Sequence, residues 1–210
     1  MKDVLNGINH IWYIYTHPFD GFWLMKKDKI GGYKFGIFML ILLVATTSLR
    51  ILNTGYLFSS GEAENFSIWL LALLVVLVVA LYCVANWALT TLINGMGNFE
   101  EIFTSLMYAV TPFVIANIPL TILSNYFVGS ESAYYTFFNF LVALFTVFLI
   151  LVGNMTIHEF TMFKSIWTTV FTVATMVGIA VIALLTFNLI GQAWLWVVSV
   201  ISEISFRINV

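Results

Sequence analysis

Charge is scarce in this sequence: Asp, Glu, Lys and Arg together make up 9% of its 210 residues, where a soluble domain carries roughly a quarter. The eight Lys and Arg are scattered and the formal net charge is -2, so a basic footprint for nucleic acid is missing. There is one cysteine, Cys83, which excludes both an intrachain disulfide and a multi-thiolate metal site. Of three prolines, two fall inside a single apolar run. No Gly-x-Ser-x-Gly elbow, P-loop or dinucleotide fingerprint occurs, which removes the usual hydrolase and nucleotide-binding readings.

What fills the chain instead is hydrocarbon. Hydrophobic residues account for 61% of it, and the mean hydropathy is +1.01. Five apolar runs follow one another: Phe35 to about Leu52, Phe66 to about Leu92, about Phe103 to Leu123, Tyr135 to Val152, and about Ile166 to Ile190. Each is near or above the ~20 residues that cross a 30 Å hydrocarbon core, and each is apolar on all sides, unlike the short alternating strands of a barrel. The expected fold is an all-α integral membrane bundle of about five transmembrane helices. Residues 1–33 lack a run long enough for a signal peptide, so the N-terminus is expected to be retained.

Two flanking segments have amphipathic character. Val4, Ile8, Ile11, Trp12 and Tyr15 recur at helical spacing before a break at His17-Pro18, and Trp194, Val197, Val198, Ile201 and Ile204 do the same in the tail. Both are expected at the membrane interface, as bundle anchors or as docking surfaces in which Ile8 and Trp12 meet a partner. The chain then divides into a cytoplasmic N-terminal segment (1–33), a transmembrane domain (34–190) and an external tail (191–210). Lys2, Lys26, Lys27, Lys29, Lys34 and Lys164 fall on one side and Arg50 and Arg207 on the other. The positive-inside rule therefore puts the N-terminus in the cytoplasm and the C-terminus outside a multi-pass cell-membrane protein, with Glu62 and Glu64 external.

Ionisable groups are expected to be solvated in loops, tails or span ends. Arg50, near the outer end of the first span, is expected to snorkel, and His158-Glu159 reads as part of a loop without the second His of a zinc helix. Glu100-Glu101 is similar to the paired glutamates of membrane-embedded prenyl endopeptidases, but Ser105 stands where that pattern has Arg. The reading is therefore no catalytic residue, no cofactor and no metal. What stands out is the third span, where Pro112 and Pro119 each remove a backbone donor and Asn117 carries an amide into hydrocarbon. Such a helix is bent and packed by neighbours.

Around this span the sequence resembles the Yip1 domain family of multi-spanning membrane proteins. The resemblance rests on Gly95-Met96-Gly97-Asn98-Phe99, a short amphipathic link, then Tyr108-Ala109 and Pro112, together with five spans and an aromatic N-terminal region containing His17-Pro18-Phe19. It covers roughly residues 10 to 190 and is to the bacterial branch, since the long cytosolic N-terminal region of eukaryotic members has no counterpart. It implies a non-enzymatic scaffold. Eukaryotic relatives bind small GTPases and shape membranes, and bacterial relatives look like accessory subunits encoded beside ABC transporters, carbohydrate importers among them. The expected partners are membrane lipid and other integral membrane proteins, including ABC transporter permease subunits, and not nucleic acid. Two alternatives stand beside this: a permease subunit lining a substrate path, from a faint echo of the importer EAA loop at Glu100-Glu101, and a membrane-shaping or trafficking protein acting on lipid.

Overall fold

A computed structural model describes residues 2–55, 58, 67–128 and 131–208; the loop holding Glu62 and Glu64 lies outside them. Among the described residues the chain forms seven helices: α1 (Lys2–Thr16), α2 (Pro18–Asp28), α3 (Gly32–Asn53), α4 (Ile68–Leu92), α5 (Phe99–Ser124), α6 (Ser132–His158) and α7 (Met162–Ile208). The last five are long and apolar enough to cross a membrane. Helix is the form these runs must take, because in hydrocarbon every backbone N–H and C=O has to be satisfied within its own segment. The chain is thus a multi-pass membrane protein. One end of the bundle gathers Lys26, Lys27, Lys29, Lys34 and Lys164 and is called the Lys-rich face below; the other is the far face.

Helix α5 is central. More than half of its most apolar stretch, 56%, is buried, against 33% or less in the other spans, and it packs chiefly on α3 and α6. Asn98 and Glu101 close its start with a capping box. Pro112 has no N–H, so the Tyr108 carbonyl four residues earlier loses its helical donor. The Thr111 hydroxyl takes that place at 2.6 Å. The same hydroxyl accepts a hydrogen bond from Tyr15 of α1 at 2.8 Å, which ties the N-terminal region to the proline defect.

Both N-terminal helices are amphipathic, and the structure adds a depth that their spacing does not reveal. Pro18 starts α2, and α2 folds back on α1 so closely that a Cβ on Gly21 would meet Ile14. A carbonyl only accepts, so the 2.8 Å contact from His10 Nε2 to the Gly21 oxygen has the ring donating. Tyr15 packs edge-on against Phe145 at 5.7 Å. Phe145 and Thr111 stand at the middle of α6 and α5, so the tip of the hairpin reaches about half-way into the bundle. Its return limb seats Phe22 beside Gly153, and Gly31, with φ of +87°, makes the turn into α3. The buried face is Ile11, Ile14, Phe22 and Met25; Ile8 and Trp12 are left 37% and 70% exposed.

Helix α7 runs unbroken for 47 residues, about 70 Å at 1.5 Å per residue, straight through the boundary expected near residue 190. The fully buried part of its contact with the bundle is a polar stripe, with Ser165, Thr168 and Thr172 packed against α4 and α6. Residues 181–199 are exposed throughout.

Candidate functional site

At the Lys-rich end, polar residues one helical turn apart on each of three helices face one another: Asn86 and Thr90 of α4, Asn154 and His158 of α6, Thr168 and Thr172 of α7. All six are buried, with exposures between 0% and 5%. A charged or amide group in a span is costly unless it is bonded to a partner, so this cluster is held together by necessity.

The hydrogen bonds run in one direction from a fixed starting point. The backbone N–H of Gly97, in the loop between α4 and α5, donates to His158 Nδ1 at 3.2 Å. The proton of the neutral ring is then on Nε2, which donates to Asn86 Oδ1 at 3.0 Å. Asn86 Nδ2 passes the sequence on to Asn154 Oδ1 at 3.1 Å and Thr172 Oγ1 at 3.4 Å, and Asn154 Nδ2 donates to Thr169 Oγ1 at 3.1 Å. One loop and three helices are joined through a single imidazole. Phe160 stacks on that ring at 5.3 Å, and Lys164 lies 3.8 Å over Phe160 while reaching the Ile93 carbonyl at 3.1 Å. Lys26 of α2 closes the end of α6, bonding the Ile157 carbonyl at 2.9 Å and Glu159 at 2.7 Å. A cation on the last carbonyls is also where the helix dipole favours one.

The glycines of the loop make this approach possible. A Cβ on Gly97 would lie 2.6 Å from His158 Cε1 and collide with Ile157, and one on Gly95 would lie 2.7 Å from His158 Nδ1. Both ring nitrogens are engaged, so the imidazole serves as a clamp and has no free lone pair for proton transfer. Its position corrects the expectation of a solvated loop residue: His158 is the last residue of α6 and 2% exposed. His10, at 9%, is likewise buried.

The other residues singled out by sequence fall in different places. Phe99 is 40% exposed at the start of α5. Tyr108 is fully buried, stacked on Phe35 at 4.2 Å and edge-on to His10 at 5.8 Å, and so lies in the socket of the N-terminal hairpin with Pro112. Asn117 and Pro119 are toward the far face, where Arg50 does not snorkel but turns inward to Asn117 at 3.2 Å and lies 5.8 Å from the Phe113 ring. Ile8 and Trp12 remain on the outside. Among the described residues no three His, Cys, Asp or Glu stand close enough to hold a metal.

The Yip1 domain family model matches residues 12–185 of the chain. The chain belongs to the Yip1 domain family. No curated protein and no solved structure shows significant similarity to it. The matched stretch begins at Trp12 in α1, so the Yip1 domain includes the tip of the re-entrant hairpin, the proline defect that holds it and the whole His158 clamp. It ends within α7, inside the stretch that is exposed throughout.

Proposed function

We propose that this Yip1 domain protein works by packing against another integral membrane protein, as a non-enzymatic scaffold or accessory subunit. The observation that carries this reading is α7. At about 70 Å it is more than twice the hydrocarbon thickness, and residues 181–199 are exposed throughout while carrying Trp194, Leu195, Trp196, Val197 and Val198. Apolar surface of that extent needs a cover. An ABC transporter is the partner class suggested by family resemblance, and the exposed Ile8 and Trp12 face of α1 offers a second contact. We read the Lys-rich face as cytoplasmic in a cell membrane, on the distribution of lysines.

Two experiments test these statements. A photo-cross-linking residue placed at Trp196, followed by purification in mild detergent, should give a discrete adduct with an integral membrane protein; Leu195→Asp with Val198→Asp should abolish it while the bundle still folds. Adducts to lipid alone, from every position along 181–199, would end the scaffold reading in favour of action on lipid. For orientation, in a Cys83→Ala background Ser67→Cys should label with an impermeant thiol reagent in intact cells and Lys27→Cys should stay silent. The opposite pattern inverts the topology.

A further inference from the structure

Between α3 and α5, toward the far face, lies a groove of about 260 Å³ whose polar wall includes Thr46, Asn117 and Thr121 and whose apolar wall is Leu49, Ile118 and Ile122. Asn117 is 2% exposed. A guanidinium can only donate, so the 3.2 Å bond from Arg50 Nη1 fixes the side-chain oxygen of Asn117 toward Arg50 and leaves Nδ2 as the other arm. That Nδ2 has no hydrogen-bond partner. An orphaned donor buried among apolar groups is expensive, which is the mark of a site whose acceptor comes from outside the chain.

Charge narrows the occupant. Among the described residues Arg50 bonds to Asn117 and lies over the Phe113 ring, and no carboxylate among them pairs with it. A cation and an amide donor side by side call for an acceptor bearing negative charge. The three apolar wall residues are each about half exposed, at 52%, 52% and 55%, and they belong to spans, so the mouth of the groove adjoins hydrocarbon. An acyl chain fits against them and a free phosphate ion does not. We propose that this groove binds one membrane phospholipid, its phosphate or ester oxygens accepting from Asn117 Nδ2 beside the Arg50 charge and its acyl chain lying along Leu49, Ile118 and Ile122.

The test uses the full chain purified in mild detergent, with native mass spectrometry and thermal unfolding read in parallel. Phosphatidylglycerol should remain bound at one per chain, raise the melting temperature and be retained about tenfold less well by Asn117→Leu and by Arg50→Met, the loss expected for one charge-assisted hydrogen bond. Inorganic phosphate at the same concentration should do neither. Because both variants alter a buried bond, Ile118→Trp provides a third arm: it fills the groove from its exposed side, leaves the Arg50–Asn117 pair intact and should displace the lipid. Equal retention by the wild type and Ile118→Trp would overturn the proposal. Stabilisation by inorganic phosphate alone would assign the site to a free anion and overturn it as well.

Discussion

Gly97→Ala should lower the stability of the purified protein by about 3 kcal/mol or more, through one added methyl group. That methyl would stand 2.6 Å from His158 Cε1, so the ring has to move. Overpacking of this kind costs about 1–3 kcal/mol. Displacing the ring also breaks its bonds to Gly97 and Asn86, and each buried polar group left unpaired costs a further 1–3 kcal/mol or so. The mechanism is separable from the substitution. His158→Ala alone should also destabilise, because Asn86 and the Gly97 N–H lose their partner, but the double variant Gly97→Ala/His158→Ala should cost clearly less than the sum of the two. Contact with Ile157 keeps the rescue incomplete. Thermal unfolding in detergent supplies the double-mutant cycle, and strictly additive losses would show that the ring and the loop do not act as a unit.

Phe22→Ala should be of comparable size, about 3–5 kcal/mol, the usual cost of emptying a buried aromatic site. Phe22 is fully buried on the return limb of the hairpin, where it fills the space above Gly153. Loss of that ring should also loosen the hairpin, so trypsin should cut faster after Lys26 and Lys27. Trp23, its neighbour, is 50% exposed, and Trp23→Ala should leave both stability and cleavage nearly unchanged. An intact hairpin in the Phe22 variant would mean that Tyr15, bonded to Thr111, and the pair of His10 and Gly21 suffice to hold it.

The importance of the polar residues was only half visible beforehand. Asn86 and Thr90, Asn154 and His158, and Thr168 and Thr172 each recur at a spacing of four, which puts each pair on one face of its helix. That spacing is a legible signal that three apolar spans carry polar stripes. It says nothing of which stripes meet, and His158, taken by itself at the end of an apolar run, reads as a solvated loop residue. Likewise Gly95 and Gly97 were recognisable as a motif, while the reason for them, an imidazole within van der Waals reach of a Cβ, exists only once α6 is packed beside the loop.

By itself the sequence determined the membrane class, the five helical spans, the family and the proline-interrupted third span. These follow from properties that add up along the chain: hydropathy summed over about twenty residues, the missing N–H of proline, and the rule that hydrocarbon leaves no backbone group unpaired. The amphipathic N-terminal helix was legible too, by periodicity. Only the tertiary structure decided how far the N-terminal hairpin enters the bundle, that α7 continues unbroken past residue 190, that His158 is a buried clamp and that Arg50 turns to Asn117. Each of these depends on contacts between segments distant in sequence, 61 residues apart for Gly97 with His158 and 67 for Arg50 with Asn117. Periodicity along one helix fixes which face is polar, and only packing fixes what that face meets.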